Sequence, residues 1–438
     1  MLKKWAVIFA VLLACGALRA ADDDWPRWRG PNDDGMARGA APVEWSDTKN
    51  VAWSVPIAGR GHSSPVIWGD RIFLTTAIPT GVKAATPAPA AGGGGRAGGG
   101  SGAGLEHKFV VLCLDRQTGK VLWERVAKTA TPHEGYHGKY GSFASNSPVT
   151  DGKHLFAFFG SRGMYCYDLD GKLVWEKQFP PMRMRMAFGE GTPTVIDDKA
   201  VYLKFDHEDG SYLVALDKLT GKELWKVDRA DESSWSPPLL VEYGGSRQLV
   251  VGATNKVRSY EPATGKLIWE CAGLGSNAIP APVAAGGMVY LMSGHRNPNL
   301  LAIRLGRQGD LTGTDAIAWT NTRGNPYTPS PVLFDNRLYF VADNGVLSCL
   351  DARNGQPHYL QQRLPKPASI KASPVGANGK LYVSTEEGDV VVVKMGDTYE
   401  VLATNTLAGQ MFIATPAIAG GSLYLRGPNT LYCIREGK

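Results

Sequence analysis

The residues whose types and spacing most suggest chemistry are His133-Glu134-Gly135-Tyr136-His137, a match to the His-Glu-x-x-His string of zinc hydrolases. That chemistry needs both imidazoles on one face of a helix, with the carboxylate beside a metal-bound water. Pro132 precedes the string, Gly135 interrupts it, and Gly138 and Gly141 follow, so the helix is missing. The string reads as a loop, and no metal is assigned to it. The six cysteines form no Cys-x-x-Cys-His haem site either. Any site must therefore be assembled from residues far apart in the chain.

The 438 residues are 43% hydrophobic and 20% charged, with 53 Gly and 28 Pro. Apolar surface is ample for a core, which excludes a disordered chain, while so much Gly and Pro disfavours a helical bundle. A turn-rich all-β protein is expected. The net charge of +6 falls to +3 once Lys3, Lys4 and Arg19 are discounted, and the positive charges are scattered, so no nucleic-acid footprint stands out. Lys3-Lys4 followed by the apolar run Trp5 to Ala14 reads as a secretory signal over residues 1–20, too short to span a bilayer. Leu18-Arg19-Ala20 suits ordinary cleavage, whereas Leu12-Leu13-Ala14-Cys15 suits a lipid anchor on Cys15. Either way the expected compartment is periplasmic or otherwise extracytoplasmic.

Self-comparison finds the elements that must position a site. A small residue, then Pro, then an apolar run recurs eight times, at Pro65, Pro148, Pro193, Pro237, Pro282, Pro331, Pro374 and Pro416. Successive spacings are 83, 45, 44, 45, 49, 43 and 42 residues. The long first gap holds a Gly/Ala/Pro-rich stretch, expected to be a loop at 79–105 inserted in the first repeat. Within the units, Asp115-Arg116-Gln117-Thr118-Gly119-Lys120-Val121-Leu122-Trp123 recurs at 217–225 and, with Glu first, at 261–269. Asp caps a tight turn, Gly supplies positive φ, and Trp begins an outer strand that packs on the next unit. Four short strands per unit at this period predict an eight-bladed β-propeller over 43–438, preceded by an extension at 21–42. The last unit ends before its outer strand, so the orphan strand around Asn50 to Val55 is expected to close the last blade. Cys113, Cys166, Cys349 and Cys433 share one column with Ala215, Ser259, Ala302 and Val392, which predicts buried small residues and no disulfide framework.

On these Asp-x-x-Thr-Gly-Lys-x-x-Trp runs, the chain resembles the propellers built from pyrroloquinoline-quinone (PQQ) type repeats, across essentially all of 43–438. That superfamily includes PQQ-dependent alcohol dehydrogenases and the BamB lipoprotein of outer-membrane assembly. Trp25-Pro26-Arg27-Trp28-Arg29-Gly30-Pro31-Asn32 is similar to the opening of many exported bacterial members. A quinoprotein would imply PQQ on the channel axis, calcium held by oxygens, an Asp base and a vicinal Cys–Cys disulfide. No adjacent Cys pair exists here. Trp235 would be the stacking floor, and Glu190 and Asn146 the oxygen ligands, of such a site.

The column three residues before each Pro holds His62, Ser145, Glu190, Ser234, Ile279, Thr328, Lys371 and Ile413, which puts polar groups at the start of the inner strands. Nearby loops add His137, Lys139, Asn146, Arg162, Asp206, Asn277, His295, Arg296 and Tyr327. A channel-mouth site is expected from His62, His137, Lys139, Asn146, Arg162, Glu190, Trp235, Tyr327 and Lys371, with a merely hydrated rim as the alternative. The resemblance implies an exported, monomeric, non-catalytic scaffold of the cell envelope, BamB-like, binding envelope proteins or a small ligand, with no cofactor. The alternatives are a PQQ- and calcium-dependent alcohol or sugar dehydrogenase, and a carbohydrate-binding propeller stacking sugars on Trp235, Tyr327 and Phe412.

Overall fold

A computed structural model describes residues 24–83 and 101–437. The signal at 1–20, Cys15 and most of the Gly/Ala/Pro-rich stretch lie outside them. Eight antiparallel sheets form an eight-bladed β-propeller. Blade 1, for example, runs Val66–Trp68, Arg71–Lys83, Leu105–Asp115 and Val121–Ala130 from the channel outwards. Its two central strands pair as far as Lys83 and Leu105, inside the segment expected to be loop. Val51–Pro56 is the outer strand of blade 8, paired antiparallel with Thr430–Arg435. The chain thus closes its own ring, and no sheet edge is left between first and last blades. No helix among the described residues is long and apolar enough to cross a membrane.

The repeated residues stitch neighbouring blades. The backbone N–H of Ser64 donates to Ser147 Oγ at 2.8 Å, that of Ser330 to Ser373 Oγ at 2.9 Å, and that of Ser373 to Thr415 Oγ1 at 3.2 Å. At Ser147, Ser330, Ser373 and Thr415 the small residue before Pro is therefore a hydroxyl that accepts from the inner strand alongside, whereas Ala281 only donates its N–H, to Ser330 Oγ. On the outside, Trp123, Trp175, Trp225 and Trp319 each donate Nε1 to a carbonyl of the following blade's turn, at 2.9–3.0 Å. Their rings cover the glycines of those turns. Across the strand pair, each Trp faces a small residue, as Trp123 faces Cys113 and Trp225 faces Ala215. The Cys column exists because a larger side chain there would collide with the indole. All five described cysteines are buried and unbridged.

Blade 5 breaks the rule. It lacks the Asp-to-Gly turn, so Trp269 of blade 4 turns inward and donates to Gln248 Oε1 of its own blade. Gly309–Asp310 instead pairs in parallel with that outer strand.

The extension enters the ring. Trp25 bridges Ile67 of blade 1, Pro26 O accepts from Thr150 N of blade 2, and Trp28 Nε1 donates to Thr415 Oγ1 beside blade 8. Arg29, only 2% exposed, donates to Pro374 O and Pro331 O of the blade 7 and blade 6 inner strands. Met36–Ala37 then adds a parallel strand to Val375–Ala377. Residues 25–37 thus lie across the inner strands of five blades.

Candidate ligand site at the channel mouth

At the start of the inner strands is an open pocket of about 590 Å³. Six of the eight residues in the column three before Pro line it: Ser145, Glu190, Ile279, Thr328, Lys371 and Ile413. The N-terminal segment engages these strands two to five residues further on, roughly 7–16 Å away at the rise of an extended strand. None of its residues lines the pocket.

Of the expected site residues, His137, Glu190, Trp235, Tyr327 and Lys371 come together here. His62, Lys139, Asn146 and Arg162 do not line the pocket. His62 is covered, its Nε2 has no partner, and burial with the charges of Arg426 and Arg60 pushes its pKa down to about 3. Asn146 is buried; its backbone carbonyl accepts from Thr75 Oγ1, while its side-chain Oδ1 has no partner. Lys139 lies 2.7 Å from the buried carboxylate of Glu386 in blade 7. Arg162 sits behind Glu190. Phe412 is 1% exposed and offers no stacking face.

The connection between blades 1 and 2 reaches across the rim. Arg60 pins it through the carbonyls of Gly138, Lys139 and Gly141. His137 stacks on Tyr140 at 4.9 Å, and the Lys371 ammonium sits 4.8 Å from the centre of the same Tyr140 ring. His137 also meets Phe188, which meets Trp235. On the other side, Arg185 donates to Asn277 Oδ1 at 3.1 Å, Asn277 Nδ2 to Tyr327 Oη at 3.4 Å, and Tyr327 lies against His295. Burial, then the charges of Lys371 and Lys139, lower the His137 pKa.

The lining loops are strained. Met186, Ala187, Asn277, Arg296 and Asn297 all have positive φ, between 42° and 62°. Non-glycine residues held there cost of order 1–3 kcal/mol each, and such strain gathers at binding sites. Tyr140, Arg185, Met186 and Phe188 belong to the lining but not to the sequence expectation. The only signal for the last three was the length of the connection between Lys177 and Pro193, which exceeds what the repeat needs.

Glu190 is the one carboxylate that lines the pocket. Its Oε1 accepts from Arg162 Nη1 and from Ser161 Oγ, and its Oε2 accepts from Ser161 N. Calcium takes six to eight oxygens. With Glu190 committed to a guanidinium and Asn146 displaced from the pocket, the residues present do not fit the calcium cage of a quinoprotein. His133, Glu134 and Glu190 lie close enough to share a metal. However, Arg162 already bonds both Glu190 Oε1 and His133 Nδ1, His133 Nε2 donates to Met182 O, and Glu134 accepts from Met184 N. The His-Glu-x-x-His string is not helical, and His137 faces the pocket while His133 faces Arg162.

With this geometry established, comparison with known proteins gives the family. A family model described as outer membrane protein assembly factor BamB matches residues 107–356 and 209–436. The chain belongs to this BamB-like family of PQQ-type repeat propellers. Within it, the outer membrane protein assembly factor BamB of Yersinia pestis is 23% identical over 348 residues, covering 75% of this chain and 80% of that protein. Among solved structures, BamB of Moraxella catarrhalis superposes with a TM-score of 0.58 at 11% identity, covering 87% of this chain and 99% of that one. The quinohemoprotein alcohol dehydrogenase of Comamonas testosteroni gives 0.61 at 11% identity, covering 95% and 81%. At such identities the structural likeness, to BamB and dehydrogenase alike, is one of fold.

Proposed function

We propose that the chain is a non-catalytic binding scaffold of the bacterial cell envelope, BamB-like in role, that holds its partner at the channel mouth. One observation carries this reading. The only carboxylate in the pocket is paired with Arg162, which leaves aromatic, imidazole and cationic groups around an open cavity and no free carboxylate. The family match supports an assembly role, and the basic start, apolar run and Cys15 support export. The quinoprotein alternative keeps Trp235 as a stacking surface but lacks its calcium donors.

The test places a photo-crosslinking residue at Met186, which lines the pocket and is 59% exposed. Adducts with an outer-membrane assembly protein in intact cells support the reading. Saturable binding of PQQ plus Ca²⁺ by the purified protein, with alcohol-dependent dye reduction, overturns it.

A further inference from the structure

The next inference rests on the mouth being the binding surface, and adds the chemistry of what enters it. Arg185, Arg296 and Lys371 line the pocket together with the imidazoles of His137 and His295. Against them stands Glu190 alone, already paired with Arg162. Arg185 shares its charge with Glu232 at 3.1 Å, and Lys371 shares its own with Asp343 at 2.8 Å. Arg296 is exposed and has no ion-pair partner among the described residues. With Asn297 it forms the positive-φ turn, at 42° and 62°, between the paired strands Met288–Ser293 and Asn299–Arg304, which sets the guanidinium at the rim.

The two halves of the pocket differ. One side is the chain Arg185, Asn277, Tyr327 and His295, with Arg296 next in sequence. The other is the aromatic wall of His137, Phe188 and Trp235. A low-dielectric cavity with an unbalanced cationic side concentrates anions, and a flat ring or sugar face stacks on indole and phenyl surfaces.

We propose that the mouth pocket takes a small carboxylate with a flat, partly apolar face, its carboxylate at Arg296 and Arg185 and its face against Phe188 and Trp235. Two sources carry that chemistry: an aromatic acid and a uronic acid. A cavity of about 590 Å³ holds either.

Calorimetric titration of the full mature protein compares 4-hydroxybenzoate with 4-hydroxybenzamide, and glucuronate with glucose, without added metal. The expected result is that at least one acid binds tenfold or more tightly than its neutral counterpart, and more weakly as salt is raised. The pair that shows the difference names the source. Arg296→Glu should weaken that binding at least tenfold with an unchanged melting temperature, since the side chain is exposed.

Equal binding of acid and neutral partner overturns the proposal, as does binding of neither acid, an unaffected Arg296→Glu variant, or binding that appears only with Ca²⁺. If the acids fail while the Met186 crosslinks to an assembly protein persist, the ligand class is wrong and the scaffold reading stands. If both fail, the mouth is not the binding surface.

Discussion

Trp53 and Gly119 join the two ends of the ring. Trp53 lies on the strand that completes blade 8, and its Nε1 donates to Arg116 O, three residues before Gly119 in the first turn of blade 1. A Cβ on Gly119 would come within 2.7 Å of the indole, at a φ of 73°. The contact that repeats between consecutive blades is thus repeated where the chain has no covalent continuity.

Gly119→Ala is therefore expected to cost about 1–3 kcal/mol for left-handed strain, with a further loss from displacing Trp53. Gly379 has nearly the same φ, 71°, with open space where its Cβ would be. Gly379→Ala should show the strain alone. Denaturant unfolding of both variants checks the order, and equal losses would mean that the indole contact contributes nothing.

Arg29 offers the second prediction. Burial lowers its pKa to about 10, and its two nitrogens satisfy carbonyls on adjacent blades. Arg29→Met keeps the length and leaves both acceptors buried without a donor, at about 1–3 kcal/mol each. A large fall in melting temperature is expected. An unchanged melting temperature would show that the segment is not part of the core.

Ser330 tests the hydroxyl stitching. Its Oγ accepts from Ala281 N at 2.9 Å, while its own N–H donates to Ser373. Ser330→Ala should cost about 1–3 kcal/mol by orphaning a buried N–H. Ser330→Thr, the residue type already present at Thr415, should cost less. Equal stability of the Ala variant and wild type in urea would remove the hydroxyl from the account.

Two groups set opposite pH slopes. Burial raises Glu134 from 4.5 to about 7, so the folded chain keeps a proton that the unfolded one releases. Stability on its account falls as pH rises from about 4.5 to 7, and Glu134→Gln should exceed wild type in melting temperature at pH 8 but match it near pH 4.5. His62, depressed from 6.5 to about 3, refuses a proton that the unfolded chain takes. Stability on its account is full above 6.5 and falls with acidification towards 3, and His62→Gln should flatten that limb. Melting curves across pH 3.5–8.5 separate the two.

The blades were legible in the sequence because the same residue makes the same contact many times: a hydroxyl before Pro, Gly under Trp, a small residue opposite Trp. Register then followed, and the column three before Pro led to six pocket residues. His62 and Ser234 left that set for local reasons: His62 is covered, and Ser234 is taken up by Lys204 and Asp206. Nothing announced the path of Trp25 to Ala37. Its motif occurs once, so no period exposes it, and its partners are largely main-chain carbonyls and amides, which any sequence supplies. Arg185, Met186 and Phe188 were missed for the same reason, being an unrepeated excursion between two blades.

The N-terminal segment grips blades from both ends of the chain. Its bonds reach blades 1, 2, 6, 7 and 8, and the partners of Arg29 lie more than 300 residues further on. The residues made first are thus held by strands made last. The ring cannot be finished in chain order, because its opening segment waits for the final blades before its backbone and its buried guanidinium find their partners.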